Sequence, residues 1–272
     1  MALKEAYGGE VHIVGVEADA EHGRQALSLE IVDAVVSLKE AVGQAELVIL
    51  ATPVSAILSL LPQMLDYLPE AGVVTDLGST KQSVCEAVEQ HPRRGRYVAG
   101  HPIAGTERSG PGAAFRELLL GKQMILCDTE HSEADAVALV ESVFGRRIGM
   151  QVSYMTAPQH DRHLAYVSHL SHVAAYALSN TVLDADKDER SIFETAGSGF
   201  SSMVRIAHSP ASMWAPIFRQ NEQEVSQALG EYIEHLQAFK TMLDAGDDRG
   251  CQEWIKKAND IHRILLGAKS EQ

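Results

Sequence analysis

"MALKEAYGGEVHIVGVEADAE" (residues 1–21) contains a short apolar run, Val11–Val16, that ends on an acid, Glu17. In a dinucleotide-binding βαβ unit, a strand of this kind delivers the acid that accepts from the ribose 2′-hydroxyl, about 20 residues after a glycine fingerprint. Counting back that far from Glu17 passes the front of the sequence. Residues 1–7 then read as the tail of the helix that follows the fingerprint, with Gly8 and Gly9 ending it. No other stretch supplies the fingerprint. "GTERSGPG" (105–112) and "AGSGFSS" (196–202) have glycines at other spacings, and there is no GxxxxGK[ST]. Taken alone, 11–17 could equally be an edge strand followed by an acidic loop.

Outward from that run the texture is regular. "LVILAT" (47–52), "GVVTDL" (72–77), "YVAGHP" (97–102) and "QMILCD" (123–128) are brief, nearly continuous apolar runs, as strands buried on both faces of a parallel sheet should be. Helical patterns at 20–28, 54–67, 81–90, 110–119 and 132–144 lie between them. After about residue 155 the strand signal stops. Pro158 suits a first helical turn, and Leu164, Val167, Ser171, Ala174 and Leu178 follow at spacings of three and four. One longer helix is expected from about Met213 to Gly246, with Val225, Leu229, Ile233, Leu236 and Leu243 on one side, and a last helix around Trp254–Leu265. The expected architecture is α/β. A Rossmann-like parallel-sheet domain over 1–153, lacking its first strand and glycine loop, precedes an all-helical domain over 154–272. The amphipathic helices could pack on one another or form a homodimer interface.

Composition narrows the function. The 272 residues are 45% hydrophobic, and the formal net charge is −14, which gives nucleic acid or anionic lipid no electrostatic hold. Cys85, Cys127 and Cys251 are too few and too scattered for a disulfide framework or zinc ribbon, and they point to a reducing compartment. No run approaches the ~20 apolar residues of a membrane span, and no signal-peptide pattern opens the sequence. The expected location is the cytoplasm, with no membrane partner.

Chemistry concentrates in three stretches. "TDLGSTK" (75–81) and "GHPIAGTERSGPG" (100–112) each follow a strand and open a loop, the place where open α/β sheets bind ligands. The second loop gathers His101, Thr106, Glu107 and Arg108, although ordinary turn chemistry also produces loops rich in Gly and Pro. The third is "APQHDRHLAYVSHLSH" (157–172), where Asp161, Ala165, Ser168 and His172 fall on one stripe of a regular helix. Its two HxxH pairs lack the Cys or carboxylate partners of common metal sites, so no metal is expected. Buried, hydrogen-bonded structural roles are expected for His163 and His169.

Together these stretches resemble the prephenate dehydrogenase family, with its arogenate-using relatives. The residues that carry the resemblance are "VVTDLGSTK", "GHPIAGTERSG", "HDRHLAYVSHLSHVAAYAL" and "SGFSSMVRIAHSPASMW", in that order, within a match from about Gly9 to about residue 245. The departure is at the front, where the family has a strand and a GxGxxG-type loop. The resemblance implies oxidative decarboxylation of prephenate to 4-hydroxyphenylpyruvate with NAD⁺ or NADP⁺, on the route to tyrosine. It implies that His101 is the catalytic histidine, oriented by Ser79, and that Arg205 grips a substrate carboxylate. His172, Thr106, Glu107 and Trp214 match positions lining the substrate pocket, with packing (Trp214) and a surface ion pair (Glu107) as the plainer alternatives. Ser201 stands where related sequences often carry a lysine. On the cofactor side Glu17 would repel a 2′-phosphate, so NAD is expected over NADP. Thr52, Pro53 and Gly78 are expected to border the cofactor cleft.

Three readings follow. The first is an NAD-dependent prephenate dehydrogenase whose sequence is short of about fifteen N-terminal residues, for example through a late start assignment; arogenate is the alternative substrate. The second is a homologue that no longer binds NAD and serves as a ligand-binding or partner subunit. The third is a hydroxyacid dehydrogenase of the same two-domain plan, but that group relies on a lysine in its first long helix, and 160–182 contains none.

Overall fold

The computed structural model describes residues 1–105, 110–186 and 192–270. The chain falls into two compact units, Met1–Glu222 and Gln223–Gln272.

The first unit begins with helix α1 (Ala2–Ala6), which stops at Gly8 and Gly9 with φ of 58° and 86°. These are left-handed conformations that glycine adopts at no steric cost. The front of the sequence is therefore helical up to the two glycines that its reading placed at a helix end. Strand β1 (Val14–Gly15) and β2 (Ala34–Val35) form a parallel pair around helix α2 (Ala20–Ser28). Asp19 caps α2 by accepting from the backbone N–H groups of Glu21 and His22. Helix α3 (Leu38–Val42), β3 (Leu47–Leu50), α4 (Val54–Tyr67), β4 (Val73–Asp76), α5 (Gln82–Glu86), β5 (Tyr97–Pro102), β6 (Gln123–Cys127), α6 (Ala134–Glu141) and β7 (Gln151–Met155) follow.

The strands make two sheets, β1-β2 and β3-β4-β5-β6-β7. Among the described strands β1 and β3 do not pair. The larger sheet is mixed rather than wholly parallel, because β6 runs antiparallel to β5. A parallel pair needs a crossover, usually a helix. The helix expected at 110–119 is instead two short 3₁₀ turns, Pro111–Ala113 and Arg116–Leu118. The glycines flanking Pro111 explain its failure. Strand β7, too half-exposed to read as an apolar run, adds a parallel edge beside β6 and spans residue 153.

Alternation along the strands sends side chains to two cores. Val74, Tyr97, Ala99 and Ile125 face α4, where Ile57, Leu61 and Leu65 are buried. Val73, Val98, Met124 and Leu126 face the opposite side, against Val140, Val143 and Phe144, with Ala2 and Leu3 of α1 at its margin. Each fully buried side chain of this kind contributes about 1.5–3 kcal/mol.

Helix α7 (Ala157–Leu164) starts on a capping box, Thr156 with Gln159, and has Pro158 in its first turn. It passes through a π-helical turn, Ala165–His169, into α8 (Leu170–Asp186). A π turn holds one residue more than an α turn. That breaks the stripe expected from Asp161 to His172: Asp161 is buried, whereas His172 is half-buried. Helices α9 (Ser198–Val204) and α10 (Ala211–Gln220) complete the unit. The single helix expected from Met213 to Gly246 is broken at Asn221, whose φ and ψ are −113° and 33°. Its side-chain amide donates to the Asp161 carbonyl at 2.7 Å, so the break is tied to α7.

The second unit is the helical hairpin of α11 (Glu222–Asp244) and α12 (Asp248–Ser270), which turns at Gly246 with φ 65°. Phe239 and Trp254 meet with ring centroids 5.0 Å apart. Among the described residues no helix is long and apolar enough to cross a membrane.

Candidate active site

The site is built on the carboxyl ends of β4 and β5. At the end of β4, Asp76 is fully buried and acts as a hub. Its carboxylate accepts from Tyr97 Oη at 2.7 Å, from the backbone N–H of Gly78 at 2.9 Å and from the backbone N–H of Gly100 at 3.3 Å. It also pairs with the buried ammonium of Lys81, which donates in addition to the Gly100 carbonyl at 2.7 Å. Burial raises the Tyr97 phenol well above its ordinary range, and the Asp76 charge pushes in the same direction.

Gly100 has to be glycine for this approach. A Cβ there would lie 2.6 Å from Met124 Cε and 2.9 Å from the Asp76 carbonyl. The "DLGSTK" loop and the strand end that carries His101 are thereby locked together.

His101 is nearly buried, and its Nδ1 lies 2.7 Å from Nε2 of His160. The rings meet edge to face, with centroids 5.0 Å apart. His160 is fully buried, and its Nδ1 lies 2.7 Å from Oδ1 of Asp161. The Asp161 carboxylate also accepts from the backbone N–H groups of Lys81 (2.8 Å) and Gln82 (2.9 Å), which ties α7 to the loop after β4. Burial pushes His101 well below the usual imidazole range, with His160, Lys81 and His169 adding to the shift. Burial also lowers His160, against the opposing pull of Asp161. His101 is therefore neutral at pH 7 and able to accept a proton.

From this group the contacts continue through the helices. Asn221 Nδ2 lies 3.1 Å from His169 Nδ1, and His169 meets Trp214 edge on, at 5.9 Å. Trp214 stacks on His172 with centroids 3.5 Å apart and packs with Ile217 against Val54, at the start of α4. His172 Nδ1 is held 3.1 Å from the Ser168 carbonyl. Thr80 Oγ1 donates to Gln220 Oε1 at 2.6 Å, so α10 is bonded to the loop after β4 as well.

The structure thus gathers His101, His172, Trp214, Gly78 and Ser79 around one end of the sheet, with Thr52 and Pro53 exposed where β3 gives way to α4. Ser79 is half-buried, and among the described residues the bond to His101 comes from His160 rather than from Ser79. Arg205 begins the 3₁₀ turn after α9, exposed and without an ion-pair partner among the described residues. Glu17 lies apart, exposed just beyond β1, with Oε1 accepting from the backbone N–H groups of Ala18 and Asp19. Thr106 and Glu107 lie outside the described residues. His169 is buried and hydrogen-bonded, but His163 is exposed, so the structural role expected for it does not hold.

Sequence reasoning missed His160, Lys81, Asp76 and Asn221. The available signal was adjacency: a histidine directly before an acid at the start of a helix, "HD" at 160–161.

A Rossmann-like sheet with a neutral, nearly buried imidazole at the carboxyl end of a strand, followed by helices, is the plan of a nucleotide-dependent dehydrogenase. Comparison with known proteins narrows the class. Residues 1–153 match the model of the prephenate dehydrogenase nucleotide-binding domain, and residues 156–257 match that of the prephenate dehydrogenase dimerization domain. The chain belongs to the prephenate dehydrogenase family and is a dehydrogenase. It is 31% identical to cyclohexadienyl dehydrogenase of Zymomonas mobilis, over 84% of this chain and 78% of that one. It is 28% identical to prephenate dehydrogenase of Bacillus subtilis, over 96% of this chain and 70% of that one. The crystal structure of Aquifex aeolicus prephenate dehydrogenase with hydroxyphenyl propionate and NAD⁺ superimposes with a TM-score of 0.89 at 30% identity, covering 97% of this chain and 92% of that one.

Proposed function

We propose that this chain catalyses the NAD⁺-dependent oxidative decarboxylation of prephenate to 4-hydroxyphenylpyruvate, with arogenate as the alternative substrate. The observation that carries the reading is the placement of His101: Nδ1 is engaged by His160, and Nε2 of the neutral ring has no hydrogen-bond partner among the described residues. That nitrogen accepts the proton of the substrate's 4-hydroxyl as the carbon beneath it is oxidised. The exposed Arg205 guanidinium binds a substrate carboxylate through a planar pair of donors. His172 and the Trp214 face on which it stacks form an aromatic wall for the ring. Ser79 is read as helping to orient His101, and Thr106 and Glu107 as substrate-pocket residues on the family pattern.

NAD, when bound, supplies the hydride acceptor. The residues present fit its ribose end: the Glu17 carboxylate is exposed beyond β1, with Oε2 facing no protein donor among the described residues. A carboxylate there accepts from a ribose diol and repels a 2′-phosphate, which favours NAD over NADP. Thr52, Pro53 and Gly78 border the same cleft.

The alternative reading is a ligand-binding or partner subunit that does not bind NAD. Titration with NAD⁺, followed by assay with prephenate and then arogenate, separates the two. Turnover of prephenate supports the dehydrogenase, and prephenate binding without NAD⁺ binding supports the subunit.

We infer further that the chain forms a homodimer through its helical residues, within a division into a nucleotide-binding part (1–153) and a substrate and dimerisation part (154–272). In support, Ile233, Leu236, Leu243, Ile255, Ile261 and Leu265 are exposed in the single chain, an apolar area of the kind that subunit interfaces cover. Sedimentation at micromolar concentration tests this, and a monomer would reject it. The free thiols of Cys85 and Cys127 fit the reducing cytoplasm.

A further inference from the structure

The side chains of His101, His160 and Asp161 form a single file of hydrogen bonds, and only one direction of donation satisfies all of it. The Asp161 carboxylate already accepts from the backbone N–H groups of Lys81 and Gln82. An ionised carboxylate has no proton to give, so the 2.7 Å contact to His160 must be donated by His160 Nδ1. A neutral imidazole that carries its proton on Nδ1 has a bare Nε2. The 2.7 Å contact to His101 is therefore donated by His101 Nδ1. His101 is left with its proton on Nδ1 and its lone pair on Nε2.

We propose that His160 and Asp161 are positioning residues that fix this tautomer of His101, so that Nε2 always meets a substrate hydroxyl as an acceptor. The proposal deepens the dehydrogenase reading and rests on it for its purpose, but the tautomer itself is a property of the free protein.

The alternative state is disfavoured. A doubly protonated His160 would donate to both neighbours and force the opposite tautomer on His101. Burial opposes that charge, and so does the buried Lys81 ammonium. The charged and titratable groups around the file are Lys81 and Asp76 from the β4 side, His169 from the π turn, and Asp161 itself. Because the tautomer that dominates free histidine carries its proton on Nε2, the file holds the ring in the form that water disfavours. Fixing the tautomer through the hydrogen bond made by the other nitrogen is how proteins assign imidazole roles.

The test uses the full chain with ¹⁵N-labelled histidine and no ligand. Long-range ¹H–¹⁵N spectra, with the His101 signals assigned from the His101→Asn variant, should show wild-type His101 protonated on Nδ1. His160→Leu removes the acceptor and should release His101 to a mixture dominated by the Nε2–H form, with kcat for prephenate reduced about 10²-fold and KM little changed. His160→Gln can present its amide oxygen to His101 and should restore the Nδ1–H signal and most of the rate. Wild-type His101 protonated on Nε2 overturns the proposal, and this holds even if the leucine variant fails to fold. Wild-type tautomer or wild-type turnover in His160→Leu overturns it as well. Full turnover in His101→Asn instead overturns the proposed function, while the spectra still report on the tautomer.

Discussion

The Lys81 ammonium and the Asp76 carboxylate are paired with no solvent exposure at either side chain. The same lysine donates to the carbonyl of Gly100, the residue before His101. Replacing Lys81 with Met leaves Asp76 as a buried charge without a counter-charge, held only by Tyr97 and two backbone N–H groups. The expected loss is about 3–5 kcal/mol of folding stability, read as a lower urea midpoint with an unchanged slope.

His101→Asn removes the proposed proton acceptor but keeps a polar side chain in the space. It should reduce kcat for prephenate by about 10²- to 10⁴-fold with little change in KM, as steady-state kinetics would show. An unchanged kcat would remove His101 from the chemistry.

Arg205→Ala should act on KM. Hydrogen bonds to charged groups are worth about 1.5–3 kcal/mol, so the KM for prephenate should rise about tenfold or more. Because Arg205 is exposed and has no ion-pair partner among the described residues, the melting temperature should stay near that of the parent. A fall in stability without a change in KM would assign it a structural role.

Glu17→Ser removes the charge proposed to exclude a 2′-phosphate. The ratio of kcat/KM for NAD⁺ to that for NADP⁺ should fall, and a ratio that does not move would place ribose selection elsewhere.

Acid should act on rate and stability over different pH ranges. The proposed acceptor is neutral His101, and burial depresses its folded-state titration well below 6.5. The acid limb of kcat/KM should therefore lie below the ordinary histidine range. For stability the sign follows from proton uptake. The unfolded chain protonates His101, His160 and His169 as pH falls through about 6.5, whereas the folded chain holds them neutral further down, His169 to about 4. Stability is full above 6.5 and declines between 6.5 and about 4. Denaturant midpoints measured across that window check the trend, and a flat profile would contradict it.

The α/β half was legible because its central strands, Val73–Asp76, Tyr97–Pro102 and Gln123–Cys127, are buried on both faces, which writes them as apolar runs; they and Leu47–Leu50 all sit inside the runs read from sequence. β7 was not legible, because an edge strand with Gln151 and Tyr154 exposed carries no such run. Nor was the direction of β6, which depends on a connection whose helical pattern is overruled by Gly110, Pro111 and Gly112. His101 announced itself by its loop. His160 did not, since burial and a partner 59 residues away are properties of the folded chain. Lys81 was invisible for the same reason: a lysine in a polar loop gives no sign that the fold will enclose it.

The extra residue in the turn at Ala165–His169 also sets the phase between two parts of one helix. His160 belongs to the segment before it, and His172 to the segment after. Deleting a single residue there would let the helix run straight and turn the rest of that helix by ~100°, carrying His172 off the Trp214 face while α10 stayed packed on α4 and His160 kept its grip on His101. The proposed aromatic wall and the proposed proton acceptor are thus geared through one local irregularity.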